Sequence, residues 1–301
     1  MVTVNKRTGI PEAVTINAVT AGGSMQIRIE QGYDGIYRSD PDGLEVPMLD
    51  REIQFCRGRV VSQDWAQAIA LLEGTLGTLV FYERKSGVAA ATGYVQHTIT
   101  NPVIHRIAFS FRKGGYAPVT YDFECLAADE TKGFADMWVP LDDQAAPTYV
   151  AAARGGYRIA SASHGGSIDI LHVMGFDFAL ALQLVKECND SDVGYTCVDA
   201  RLDGLRANGS ISYQDSTISA ATMVGQKLLA AARGDLVLSA VQGAGGAAKT
   251  ITIGGVVFNT GPRTANSSKP PFTEEAMDFE VGNDTITQLT LSGANKIIAI
   301  V

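Results

Sequence analysis

The sequence is poor in charged residues and has no long apolar run. Charged residues make up 19% of its 301 residues, below the roughly 25% of typical soluble domains, and the formal net charge is −8. Neither half has the excess of lysine and arginine that neutralises phosphates, which argues against specific DNA or RNA binding. No apolar run reaches the roughly 18 residues of a membrane span, and none follows Lys6 and Arg7. We therefore expect neither a membrane anchor nor a signal peptide.

Cysteine and histidine are also sparse. The chain has four of each, the cysteines form no CxxC pair, and the histidines are too scattered to suggest a metal cluster. We therefore expect buried reduced thiols, no metal site and no cofactor. The residues are Cys56, Cys125, Cys188, Cys197, His97, His105, His164 and His172.

The chain contains an internal repeat. Residues 16–34 align with 159–177 without a gap, and three shorter matches follow in the same order. These pair Gln63-Asp64 with Gln214-Asp215, 77–81 with 234–238, and 121–124 with 277–280. The repeat predicts two domains, 1–147 and 148–301, joined by an exposed linker near 139–154. Its signature positions are Gly22, Gly23, Gly32, Asp34 and Asp64 in the first copy and Gly165, Gly166, Gly175, Asp177 and Asp215 in the second.

Each copy is predicted to contain strands, one helix and then more strands. Period-two alternation marks the strands, and each Gly-Gly-Ser turn supplies the positive φ of a hairpin. Asp64 and Asp215 are placed to cap helices at 65–72 and 217–232, while residues 178–184 fit either a strand or a short helix. Later strands are expected at 78–83, 92–100, 104–112 and 118–126, and at 235–241, 249–259, 273–281 and 287–301.

Three patterns resemble catalytic or binding motifs. Residues 243–250 resemble a phosphate-binding loop, but Ala248 precedes the lysine and a strand pattern follows, which favours a hairpin tip. His164-Gly-Gly-Ser resembles an oxyanion loop, but the chain has no G-x-S-x-G sequence, which favours a turn. The pairs Asp122/Glu124 and Asp278/Glu280 fit a charged sheet face better than a glycosidase pair.

The order of elements resembles that of a known protein family. The resemblance rests on three features: Gln63-Asp64 and Gln214-Asp215 at the predicted starts of the helices, the Gly-Leu-Val strands after each helix, and the hairpin ending at 121–124. With about 150 residues per copy, this order resembles the tail-tube proteins of long-tailed bacteriophages, a family related to type VI secretion tube proteins. The resemblance implies a mainly β fold: two tandem tail-tube-like β-sandwich or barrel domains, each with one packed α-helix.

The resemblance implies a structural virion protein rather than an enzyme. Duplicated members form homotrimeric, pseudo-sixfold rings that stack head to tail into a tube, through which DNA passes without specific binding. The implied partners are other copies of the chain and the tape-measure, tail terminator and baseplate proteins, with no membrane; the protein would be made in the host cytoplasm and reside in the phage tail. We expect a net negative lumen. An arm to the next ring is expected at Tyr33, Arg38, Asp40, Asp42, Leu44 and Met48.

Two alternatives remain open from the sequence. A baseplate hub or distal tail protein would use the same duplicated fold in a single ring. A two-domain β enzyme would use Asp122 and Glu124 as an acid/base pair.

Overall fold

The protein is mainly β, with two sheets and two helices in the residues that its computed structural model describes. Those residues are 7–16, 19–20, 26–34, 53–63, 65, 77–85, 92–115, 117–129, 131–147, 157–188, 197–215, 223–242, 248–260, 273–282 and 297–301. None of the helices in these ranges is long and apolar enough to cross a bilayer.

The strands and helices are named in chain order. The first half contains β1 (Arg7–Ile16), β2 (Val19–Thr20), β3 (Gln26–Asp34), β4 (Ile53–Ser62), β5 (Thr78–Lys85), β6 (Tyr94–Thr100), β7 (Pro102–Arg112), β8 (Val119–Cys125), α1 (Phe134–Met137) and β9 (Trp138–Gln144). The second contains β10 (Tyr157–His164), β11 (Ile168–Ile170), β12 (Val173–Cys188), β13 (Cys197–Asp215), α2 (Val224–Ala230), β14 (Gly234–Gln242), β15 (Ala248–Thr260), β16 (Thr273–Val281) and β17 (Ile298–Ile300).

The same strand order occurs in both halves. A five-stranded sheet runs β2-β1-β5-β6-β9, and the second half repeats it as β11-β10-β14-β15-β17. A four-stranded run β7-β8-β4-β3 recurs as β15-β16-β13-β12. β15 belongs to both runs because its first part pairs with β14 and its last part with β16. The two copies that the sequence repeat predicts therefore have the same strand order.

Matching corners carry the chain from one run to the other. Asn101 lies between β6 and β7 with φ 45°, and Gly255 lies within β15 with φ 67°. The carbonyl of Asn101 accepts a hydrogen bond from Leu126 N at 3.1 Å, and that of Gly255 accepts one from Gly282 N at 3.1 Å. Positive φ is uncommon outside glycine, and Asn101 nonetheless adopts it at the position where the second copy has Gly255. The two copies therefore share the same corner.

Alternating apolar residues explain the buried faces. In β8, Val119, Tyr121, Phe123 and Cys125 are buried, while the residues between them are partly exposed. This is the pattern of a strand with one face on the core. One hydrophobic cluster includes residues of both sheets and both halves, so the two copies share a continuous core.

The two halves are joined edge to edge. β7 of the first half pairs antiparallel with β12 of the second from Arg112↔Gly175 to Arg106↔Ala181. Through this joint, the two four-stranded runs form eight adjacent strands within one sheet.

Trp65 packs at the junction of the halves. Its side chain is fully buried, and its indole Nε1 donates a hydrogen bond to the Ala117 carbonyl at 3.1 Å. Its ring centroid lies 4.7 Å from that of Phe109 in the first half and 5.6 Å from that of Tyr157 in the second. The chain at Ala117 also forms a bridge to Tyr157. A single aromatic side chain therefore packs against residues of both halves.

Most strand predictions are confirmed, and residues 178–184 lie within β12. The linker prediction is wrong over 139–144, because these residues continue β9 and pair with β6. The second helix spans Val224–Ala230, because the backbone of Met223 and of Ala231 is not helical. The rest of the predicted 217–232, up to residue 222, lies outside the described residues. Met223, not Asp215, is its N-cap residue, but Asp215 Oδ2 accepts a hydrogen bond from the first helical amide, Val224 N, at 3.0 Å. Asp64 and the predicted first helix beyond Trp65 lie outside the described residues.

The thiol prediction is confirmed for two cysteines and wrong for a third. Cys56 and Cys125 are free and buried. The hydrogen bond with Cys56, and then burial, raise the pKa of the Cys125 thiol. Cys197 is disulfide-bonded, and Cys188 lies opposite it in the β12–β13 register. The sequence pattern missed the bond of Cys197 because no two cysteines form a CxxC pair, and the pairing of more distant cysteines depends on the fold.

His164 is buried at the end of β10, beside the Gly165-Gly166 turn. Its Nε2 donates a hydrogen bond to the Ala232 carbonyl at 3.2 Å, and its Nδ1 has no partner among the described residues. Phe258 stands edge-on at 5.2 Å between centroids. Burial lowers the pKa of His164, and the hydrogen bond that the ring donates to the Ala232 carbonyl and the charge of Asp235 only partly offset this effect. The imidazole is therefore held neutral.

We expect His164 to make the fold sensitive to mild acid. Because its folded pKa lies below its unfolded value of about 6.5, its stabilising effect is complete above that pH and is lost as the pH falls toward the folded pKa. The free energy of unfolding should fall by up to about 1.4 kcal/mol per pH unit through this residue. Urea unfolding at pH 7.5 and 5.5 should show a smaller pH dependence for His164→Gln than for the native chain. His172→Asn, at an exposed position, is the control; equal slopes in all three proteins would contradict the prediction.

Candidate functional site

The long sheet has one face on the core and one polar face. We use "polar face" for the outward side chains of β3, β4, β8, β7, β12, β13 and β16. A groove of about 500 Å³ crosses this face at the joint between the halves. Polar residues in its lining include Arg106, Ser110, Asp177, Asn208, Asp278 and Glu280. The groove draws on both copies, and it exists because β7 and β12 are paired.

Carboxylates and cations alternate across the strands of the first-half part of this face. Glu30 contacts Arg57 at 3.3 Å, and Glu124 contacts Lys186 at 2.5 Å. The second of these pairs spans the two halves. Such cross-strand pairs of opposite charge stabilise neighbouring strands and lower the net potential of the surface.

Asp122 binds two arginines. Its Oδ1 accepts a hydrogen bond from Arg59 Nε at 2.5 Å, and its Oδ2 accepts bonds from Arg59 Nη2 at 3.2 Å and Arg106 Nη1 at 3.0 Å. The contact with Arg59 is a two-point fork, a strong form of ion pair. Burial raises the pKa of Asp122, but the hydrogen bonds and charges of both arginines outweigh it, so the pKa lies below its ordinary value. A carboxylate held ionised in this way is unsuited to act as a general acid.

Asp177 has a similar role on the second half. Its Oδ2 accepts a hydrogen bond from Arg112 Nη2 at 2.7 Å, and its Oδ1 accepts one from Ser110 at 2.7 Å. Both partners belong to β7, so these contacts also cross the joint. Asp177 was singled out from the sequence as a repeat position, and the structure places it at the groove.

The gapless match of 16–34 with 159–177 does not follow the strand register. Gly32 lies opposite Phe55 in β4, whereas Gly175 lies opposite Ser212 near the other end of the equivalent pair. The register instead relates Gly58 to Gly209, which lie opposite Phe123 and Phe279. Gly165 and Gly166 have φ 58° and 68° in their turn, as expected. Gly22 and Gly23 lie outside the described residues.

The predicted arm falls almost wholly outside the described residues. Tyr33 and Asp34 end β3, but Arg38, Asp40, Asp42, Leu44 and Met48 are not described. The equivalent hairpin of the second half is the long β12–β13 pair, whose far end reaches Cys188 and Cys197. Leu202 and Leu205 on this hairpin are exposed.

The remaining sequence motifs have structural surroundings. His97 is buried; its Nε2 faces Glu83 at 3.3 Å, and its Nδ1 accepts a hydrogen bond from Trp138 Nε1 at 3.0 Å. Lys249 lies in strand β15, as predicted for a hairpin rather than a phosphate loop. Among the described residues, no group of three or more histidines, cysteines or acids could hold a metal ion.

Sequence reasoning missed the arginine partners of Asp122 and the edge joint of the halves. Arg59 and Arg106 are 63 and 16 residues from Asp122, so only the strand order brings them together. The available signal was the pair of carboxylates repeated at 122/124 and 278/280. Comparison of the chain with protein-family models and with curated proteins finds no match.

Proposed function

We propose that the protein is a structural virion protein, the major tail tube protein of a long-tailed bacteriophage. Three chains would form a pseudo-hexameric ring, and rings would stack into a hollow tube for DNA. The observation that carries this proposal is the β7·β12 joint, in which equivalent four-stranded runs meet edge to edge.

The eight adjacent strands that the joint creates have two outer edges, and these edges match the two strands of the joint. β3 is the last strand of the long sheet in the described part of the chain, and it corresponds to β12. The last part of β15 corresponds to β7. Pairing β3 of one chain with the end of β15 in the next would repeat the internal joint, and ring closure would remove the exposed edges. Head-to-tail stacking is a contact that does not close and so yields a filament.

The two faces of the sheet suit this role. The core face contributes side chains to the hydrophobic cluster that both sheets share, while the polar face carries the groove and would line the lumen. On this face Glu30, Asp122, Asp177 and Glu124 each pair with a cation, which supports a lumen wall whose carboxylates are paired; the net negative lumen stays a prediction. The proposed partners are other copies of the chain, with tape-measure, terminator and baseplate proteins at the ends of the tube.

Electron microscopy and mass photometry of the concentrated, purified protein test the proposal. The expected result is a species of three chains together with rings or hollow filaments of constant ring spacing. A uniform monomer near 31.9 kDa at all concentrations would overturn it. Single rings that never stack would favour the baseplate hub instead.

A further inference from the structure

We propose that Asp122 keeps the polar face from binding DNA by occupying the guanidinium groups of Arg59 and Arg106. This inference rests on the proposed function, since a conduit must let DNA slide. It differs from repulsion by a negative wall, because the face carries exposed arginines whose hydrogen-bond donors are occupied by a carboxylate.

The arginines are accessible and would otherwise be phosphate ligands. The side chains of Arg59 and Arg106 are 54% and 41% exposed, whereas Asp122 is only 14% exposed. The carboxylate therefore lies beneath the two guanidinium groups, and Arg59 is held in the fork geometry that it would offer to a phosphate. Without Asp122, two guanidinium groups would remain on this face with free donors.

The second copy provides an internal comparison. In the strand register, Arg59 lies opposite Asp122 and Ser210 lies opposite Asp278. Asp278 accepts its hydrogen bond from the Thr260 hydroxyl at 3.0 Å. Thr260 is the register equivalent of Arg106, since it pairs with Asp278 as Arg106 pairs with Asp122. At the same place in the fold, the second copy has hydroxyl groups where the first has arginines.

This difference supplies a matched pair of variants. Asp122→Asn and Asp278→Asn remove the same charge from equivalent positions, but only the first releases arginines. Each new phosphate contact steepens the fall of the logarithm of the binding constant with the logarithm of salt concentration by about 0.9, which is roughly a tenfold gain in affinity at about 50 mM relative to about 1 M salt. We expect Asp122→Asn to bind duplex DNA at least tenfold more tightly than Asp278→Asn.

The experiment measures anisotropy of a fluorescein-labelled 20-base-pair duplex at 50 and 200 mM salt, with the melting temperature of each variant as a check on folding. Asp122→Asn combined with Arg59→Ser and Arg106→Thr, the residues of the second copy, should bind no better than the native chain. Asp177→Asn, which releases Arg112 at a more exposed position, is the second variant should Asp122→Asn not fold. It should also bind more tightly than Asp278→Asn.

The outcomes separate this inference from the proposed function. Equal binding by Asp122→Asn and Asp278→Asn would overturn it, and so would equal binding by Asp177→Asn and Asp278→Asn if Asp122→Asn is unfolded. Electron microscopy of the same samples reports ring formation independently. Rings without a gain in binding would reject only the role of Asp122, whereas a gain without rings would reject only the tube.

Discussion

Replacing Gly209 by alanine is expected to lower the free energy of unfolding by about 3 kcal/mol, because the added methyl group has no space. An ideal Cβ at this position would lie 2.5 Å from Cζ of Phe279, and it would also meet the backbone carbonyl of Asp177. The ring could move only into a filled core, and the carbonyl belongs to the neighbouring strand β12. Urea unfolding at a fixed protein concentration would measure the change.

Gly58→Ala should have a similar effect, since it is the equivalent position of the first copy. Its Cβ would lie 2.6 Å from Cζ of Phe123 and would meet the carbonyl of Arg28. Gly115→Ala is the control: the nearest atom to its Cβ is the Arg112 carbonyl oxygen at 3.7 Å, so a change within about 0.5 kcal/mol is expected. If Gly58→Ala and Gly209→Ala unfold at the urea concentration of the control, the close packing of phenylalanine on glycine is not required.

A single proline in β3 is expected to abolish assembly without unfolding the chain. Consecutive residues of a strand direct their N–H groups to opposite sides, so the N–H of one of Glu30 and Gln31 faces β4 and that of the other faces the edge that pairs with no other described strand. Proline removes the donor and is tolerated where the N–H faces solvent. One of Glu30→Pro and Gln31→Pro should therefore keep the native melting temperature and remain monomeric, while the other loses a ladder hydrogen bond and is destabilised.

Mass photometry and circular dichroism of both variants would decide this. Glu30→Ala and Gln31→Ala remove the side chains but keep the N–H groups, so they should assemble like the native chain. A folded proline variant that still forms rings would show that β3 is not the edge that joins chains, and the proposed ring geometry would then be wrong.

Local patterns in the sequence were sufficient to predict most strands but not their partners. β16 was predicted with its observed ends, 273–281, and its second part alternates between apolar and polar residues from Met277 to Val281. β9 was mistaken for a linker because its exposed Pro140, Leu141 and Asp142 resemble a loop, and its pairing with β6 depends on residues about 45 positions away. Local composition does not record pairing at that distance.

The candidate site was the hardest part to predict for the same reason. The carboxylate pairs were visible, whereas the arginines that bind Asp122 come from two other strands. A better signal was present at Gly58 and Gly209, each five residues before the Gln-Asp pair of its copy. Aligning the copies on these glycines, rather than on Gly32 and Gly175, gives the observed register.

The β7·β12 joint also affects the entropy of assembly. In a ring of six equivalent domains, every second joint forms within a chain when that chain folds. These joints lose no translational or rotational freedom between molecules, a loss that costs about 4–15 kcal/mol for each separate association. A ring of duplicated chains therefore needs half as many joints between separate molecules as a ring of single domains. If the chain forms the proposed tube, its threshold concentration for growth should be correspondingly lower, since a tethered domain has an effective concentration in the millimolar range.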